Sequence, residues 1–362
     1  MRGLAAPAPA GAPSPNAAPA GTRVSAWYAD DMPERPLAAD PFTTTNGHTL
    51  PRPAPPRRRR ERGPVWNVVL FLMTCLTTLL AGTMFSGSPT FDAYRASREP
   101  LGWMLSGVPF AVTLLGILVV HEFGHYFTAR ARGAAVSLPY FIPAPPVIFM
   151  AGTLGAIIRM RSSARDRNAL FDIAAAGPLA GLAVAIPAAL LGLAWSTVVP
   201  AAPGPHLVFG ESLLTRALVW LRFGTLPDGM VVSTHPVADA AWFGFLVTAL
   251  NLLPAGQLDG GRIGYALLPR QHPMLGRLTV AGLAALGVTV AAALYLARPD
   301  WTSLIPGVNW VVLAALIRFA LGYGHGPLLD PIEPLTRGRR LVGIGCFVLL
   351  VLMLPPVLIH AD

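Results

Sequence analysis

The sequence predicts an all-α polytopic membrane protein. About seven transmembrane helices are expected, with a re-entrant or β-hairpin loop after the second and a disordered N-terminal tail before the first. Composition is the first reason. Of 362 residues, 53% are hydrophobic and only 12% charged, against about 25% charged in ordinary soluble domains. The mean hydropathy is +0.54, and so few charges cannot coat a globule of this size. A soluble enzyme and a fully disordered chain are both excluded. The second reason is a series of seven apolar stretches near the ~20 residues that cross hydrocarbon, and the third is the placement of arginine between them.

Residues 1–64 are rich in Ala and Pro, lack apolar periodicity, and end in a basic run of Arg57, Arg58, Arg59, Arg60 and Arg62 around Glu61. They read as a disordered cytoplasmic tail, leaving 65–362 as the membrane domain. The basic run suits anionic lipid head groups or, more simply, orientation of the first span.

The seven stretches cover about 65–84, 108–129, 170–198, 237–254, 276–296, 304–322 and 341–360. The region 136–160 is apolar but too rich in Pro for a span, and Gly155 to Met160 reads as a short strand. The loop 199–236 is too short for a folded domain of usual size.

All 27 basic residues are Arg, which with abundant Ala, Pro and Gly matches the codon bias of a GC-rich genome. The net charge of +9 is therefore no sign of a nucleic-acid partner. Its distribution says more. With the tail cytoplasmic, the cytoplasmic segments hold 21 Arg: 9 in the tail, 6 between 130 and 167, 3 between 262 and 277, and 3 between 337 and 340. The opposite loops hold 5, and Arg318 lies inside span six near its cytoplasmic end. By the positive-inside rule this places the N-terminus on the cytoplasmic side; the membrane expected is the cytoplasmic (inner) membrane of a bacterium. Cys75 and Cys346 lie in apolar runs and can form neither a thiolate metal set nor a disulfide framework.

Span two contains His121-Glu122-Phe123-Gly124-His125. Two His four apart project from one helix face, a spacing that lets two imidazoles hold one divalent metal with Glu122 beside them to accept a proton from an activated water. Ionisable groups inside a span are costly and are by default functional. A third ligand is needed. Asp172 and Asp239 start spans three and four, where capping and helix-dipole roles account for them. Asp259 differs, because it follows Asn251-Leu252-Leu253-Pro254-Ala255-Gly256-Gln257-Leu258, where Pro and Gly break the helix. Broken helices at membrane depth line cavities or are buried in protein. Spans two and four both run from outside to inside, so His125 and Asp259 come toward the same, cytoplasmic, face.

These two motifs, with Gly152-Thr153-Leu154-Gly155-Ala156 and Ala176-Gly177-Pro178-Leu179-Ala180-Gly181 between them, resemble the signatures of site-2 proteases, the intramembrane zinc metalloproteases. The resemblance covers most of 65–350 and is closest to bacterial and plastid-type members without a PDZ domain, since the loops leave no room for one. It implies one zinc ion per chain held by His121, His125 and Asp259, with Glu122 as general base, and transmembrane protein or peptide segments as substrates. It places Asn251 where the family positions substrate or stabilises an oxyanion; a helix-terminal hydrogen-bonding role suits Asn251 as well. It implies a membrane-associated β-hairpin at 136–160, which either pairs with an unwound substrate or seals the site. Gly177, Pro178 and Gly181 read as a close helix approach or a kink.

Three rival readings follow from the same residues. A catalytically silent scaffold of this fold would lack a ligand or the base, and all four are present. A transporter would spread polar residues over several spans. Two His and one carboxylate also suit non-haem iron, but a helical His pair with an adjacent Glu favours zinc hydrolysis.

Overall fold

The computed structural model describes residues 64–85, 100–147, 149–160, 164–201, 207–323 and 334–361. The tail through Gly63 and its basic run, and Arg95 and Arg98, lie outside the described residues. In chain order the elements are α1 (Val65–Phe85), α2 (Pro100–Ser106), α3 (Val108–Ala131), β1 (Tyr140–Pro143), β2 (Thr153–Ile157), α4 (Arg167–Trp195), β3 (Thr197–Pro200), β4 (Leu207–Phe209), α5 (Leu213–Phe223), β5 (Met230–Ser233), α6 (Pro236–Asn251), α7 (Asp259–Leu267), α8 (His272–Ala297), α9 (Ile305–Leu316), α10 (Arg337–Met353) and β6 (Ile359–Ala361).

Five helical segments among the described residues are long and apolar enough to cross a membrane: α1, α3, α4, α8 and the stretch Trp301–Leu321 that contains α9. The fourth and seventh expected spans are the shorter helices α6 and α10, of 16 and 17 residues. At 1.5 Å per residue these reach only ~24–26 Å against a hydrocarbon core of ~30 Å. Pro254 follows α6, and Pro355-Pro356 follows α10, so neither helix extends to the expected end. The long α4 tolerates Pro178 and Pro187 in its interior.

α6 is the centre of the molecule. Every residue from Pro236 to Leu246 is buried, as expected of a helix apolar all round. α3 and α4 pack against each other and both against α6, while α8 and α9 pack mainly on one another. Phe110 of α3 meets Phe243 of α6 edge to face at 5.8 Å.

An all-α reading is incomplete. Among the described residues there are three two-stranded antiparallel sheets: β1 with β2, β3 with β5, and β4 with β6. The last two give order to the segment after α4, which also folds the helix α5 behind a Ser212 capping box. Strands of three or four residues carry too little alternation to be read from periodicity.

The β1–β2 hairpin sits on α1. Asn67 Nδ2 donates to the carbonyls of Leu138 and Pro139 at 3.1 and 2.9 Å, and Phe71 meets Phe141 edge to face. Gly152 has φ +76°, and a Cβ there would lie 2.4 Å from the Thr77 carbonyl oxygen. Only glycine fits that turn against the helix.

Candidate metal centre

The buried face of α3 runs Phe110, Leu114, Ile117, Leu118, His121, Glu122, His125 and Ala129. The two histidines thus continue an apolar stripe in the i, i+3, i+4 pattern that faces the core, and packing against α4 and α6 fixes where they point. His121 is 2% exposed, Glu122 5% and His125 8%.

Asp259 arrives from the other end of the sequence. After α6 the chain turns through Leu252–Leu258 and re-enters a helix at Asp259, the first residue of α7. The two glycines that follow permit this tight return. A Cβ on Gly260 would lie 1.9 Å from the Leu252 carbonyl oxygen, and one on Gly261 2.4 Å from that of Gly256. Asp259 Oδ2 then sits 3.1 Å from His125 Nε2 and 3.6 Å from His121 Nε2, and the two Nε2 atoms are 3.2 Å apart.

The protonation pattern tests whether a metal fits. His125 Nδ1 donates to the Ile173 carbonyl of α4 at 2.7 Å. A carbonyl only accepts, so the neutral ring presents the lone pair of Nε2 to the other two residues. Two imidazole nitrogens and a carboxylate oxygen thus converge within 4.8 Å of one another. A buried group of acceptors is settled by a cation, and these are the donor types that zinc takes. A histidine ligand whose other nitrogen is tied to a backbone carbonyl is the usual outer-shell arrangement at such centres. The residues present fit the metal.

The Ala176–Gly181 motif has a direct part in this geometry. A Cβ on Gly177 would lie 2.1 Å from His125 Nε2, and one on Gly181 3.1 Å from His121 Nδ1. Each glycine leaves the space that an imidazole fills. Two glycines four apart on α4 face two histidines four apart on α3, in reverse order, and that matched spacing is the signal by which the sequence could have paired them. The motif therefore does more than bring two helices close.

Glu122 has no hydrogen-bond partner among the described residues and lines a cavity of about 470 Å³ with His121, His125, Asn251, Asp259 and Arg262. Ala156 to Met160, from β2 and the residues after it, form another wall. Asn251 Nδ2 is 3.4 Å from His121 Nε2, so the asparagine does reach the histidine pair. Arg262 Nη1 lies 4.0 Å from Asp259 Oδ1, a cation beside the centre that the sequence reading did not single out.

The other two acids take different places. Asp239 lies in the first turn of α6 and accepts a hydrogen bond from Thr234 Oγ1 at 2.5 Å, but it is not the cap, which is His235. Asp172 is not a cap. The N-cap of α4 is Asp166, which accepts from the Ala169 amide at 2.8 Å. Asp172 lies a turn further in and pairs with Arg132 and Arg339.

Residues 109–294 match peptidase family M50. The chain is similar to probable zinc metalloprotease EGY2, a chloroplastic protein, of Oryza sativa subsp. indica, with 33% identity over 269 residues, 72% of this chain and 44% of that one. The Arabidopsis thaliana protein of the same name is 32% identical over 266 residues, 71% of this chain and 42% of that one. Probable zinc metalloprotease EGY1 of Arabidopsis thaliana, also chloroplastic, is 38% identical over 162 residues, 43% of this chain and 29% of that one. The chain spans less than half the length of these curated relatives.

Proposed function

The chain belongs to peptidase family M50, and on that premise we propose that it is an intramembrane zinc metalloprotease, hydrolysing peptide bonds in or near transmembrane segments of membrane proteins. The observation that carries this reading is the meeting of the buried His121, His125 and Asp259 on one face of a cavity, with the unpartnered carboxylate of Glu122 on its wall. Bound by those three residues, one zinc ion per chain supplies Lewis acidity, making a water easier to deprotonate and a carbonyl easier to attack.

The chain's own residues do the rest. Glu122 takes the proton of the attacking water and later delivers it to the leaving amine. The Ile173 carbonyl holds the His125 ring in one tautomer. Asn251, within reach of His121, orients the scissile carbonyl. A substrate helix must unwind before its peptide bond is exposed, and we place the unwound segment against the free edge of β2, where Ala156 and Ile157 line the cavity. Main-chain pairing on that edge would hold it extended.

The domain at 65–362 is read as seven spans, with α6 and α10 completing the five longer segments. The arginine distribution supports a cytoplasmic N-terminus and a site facing the cytoplasm. We place the protein in a bacterial cytoplasmic membrane on its arginine-only basic composition; the relatives in chloroplasts share the domain. Zinc analysis of the purified full chain in lipid nanodiscs tests the ligand set. The reading expects one zinc per chain, lost in His121→Ala; a His121→Ala chain that keeps its zinc would overturn it.

A further inference from the structure

The three metal-facing residues come from two helices with no sequence proximity. α3 carries His121 and His125, and α7 carries Asp259, 134 residues after His125. Both helices are gripped by one short stretch, the start of α4. Arg167, its first residue, reaches the far end of α7, where Nε and Nη2 donate to the Ala266 carbonyl at 3.2 and 2.6 Å. That carbonyl is among the last four of its helix, which have no partner within it.

Five residues on, Asp172 takes the end of α3. Arg132, the C-cap of α3, donates to Asp172 Oδ2. From α10, Arg339 holds the same carboxylate with a fork, Nε to Oδ1 at 2.7 Å and Nη2 to Oδ2 at 2.8 Å. The Asp172 side chain is 17% exposed, that of Arg339 26% and that of Arg132 42%, so water competes less for the Arg339 fork than for the Arg132 pair. The very next residue, Ile173, supplies the carbonyl that fixes His125.

We propose that Arg167 and Asp172, near the start of α4, act as positioning residues of a strut that sets the separation of α3 from α7, and through it the spacing of the metal ligands. The strut rests on the ligand assignment above. Metal sites tolerate ligand displacements of only about half an ångström, and outer-shell partners typically govern 10- to 100-fold of metal affinity. Between them, Arg167 and Asp172 touch both ligand-bearing helices, and neither side chain is among those that line the cavity.

The test is zinc affinity of the full chain in nanodiscs, by competition with a chromogenic chelator, together with the visible spectrum of the cobalt(II)-substituted protein as a report on coordination geometry. Arg167→Gln and Asp172→Asn are each expected to weaken zinc binding by roughly three- to tenfold, below the 10- to 100-fold of a partner bonded directly to a ligand, and to alter the cobalt spectrum. Arg167→Lys and Asp172→Glu keep a donor or a charge and recover most of the affinity. Asn168 is the control. It lies in the same turn, but its side chain bonds the Pro334 carbonyl and the Thr336 amide, each at 3.3 Å, and meets the Asp172 cluster only at second hand, through Thr336 and Arg339. Asn168→Ala is expected to lower thermal stability and leave zinc affinity unchanged. Unaltered affinity and spectra in Arg167→Gln and Asp172→Asn would overturn the strut, as would an equal loss of affinity in Asn168→Ala. A wild-type chain that takes up no zinc would instead overturn the ligand assignment itself, which keeps the two failures apart.

Discussion

α3 and α8 are helices of nearly equal length, 24 and 26 residues, and both qualify as membrane spans. They do opposite jobs. Nine of the 24 residues of α3 are buried inside the protein, against five of the 26 of α8. The buried residues of α8 are His272, Gly276, Leu283, Gly287 and Val290; His272 meets Tyr265 of α7 and Gly287 faces Gly307 of α9. α3 buries a broad stripe that ends in two histidines and a glutamate. After Arg277, α8 has no charged residue. Apolarity is common to both, so it identifies the solvent and not the function. What separates them is the grouping of ionisable side chains: α3 buries two histidines and a glutamate together in its interior, whereas α8 buries one histidine, at its first residue.

The comparison can be broken most severely at the ligands. His125→Ala in α3 should abolish zinc binding and reduce cleavage of a transmembrane substrate below detection. Val288→Ala, at a position of α8 that is 63% exposed, should alter neither. Metal content and gel-based cleavage of the same preparations measure both.

Glycine offers a finer contrast. Gly177→Ala would place a methyl group 2.1 Å from His125 Nε2, and the ring must move. Zinc affinity should fall by roughly 10- to 100-fold. Gly282→Ala on α8 meets nothing within 4 Å; there the affinity should be unchanged and thermal stability unchanged or slightly raised, since alanine favours a helix by up to about 1 kcal/mol.

Two smaller effects follow. Ile157→Pro removes a main-chain donor from β2 without touching a ligand, and kcat/KM should fall about five- to tenfold, the worth of a hydrogen bond of about 1 kcal/mol. Unchanged steady-state kinetics would mean that the hairpin only seals the cavity. Trp242→Phe in α6 loses the bond from Nε1 to the Gly210 carbonyl at 2.8 Å, at a cost of about 1 kcal/mol. Trp301→Phe, at a position 72% exposed, should cost close to nothing in the same denaturation assay.

His121, Glu122, His125 and Asp259 were legible because the bilayer makes each of them conspicuous, and the helix period alone aligns the two histidines. Asn251 was legible only through resemblance. The glycines at 177 and 181 were visible as small residues but not as the cavities for two imidazole rings, since their partners lie on another helix. Asp172 was misread as a cap because an acid near a helix start normally is one; the true start is set by Asp166, six residues earlier. Arg132, Arg167 and Arg339 carried topological information in bulk, which hid what each of them holds. The strands β3 to β6 were too short to show a period. Their pairing joins residues as distant as Phe209 and Ile359, and nothing local encodes that.

The central claim is that a proton acceptor stands beside a metal held by other residues. Zinc content and cleavage measured together on Glu122→Gln test it most directly. The account predicts a chain that keeps one zinc and hydrolyses nothing. A Glu122→Gln protein that cleaves a transmembrane substrate at the wild-type rate would contradict it.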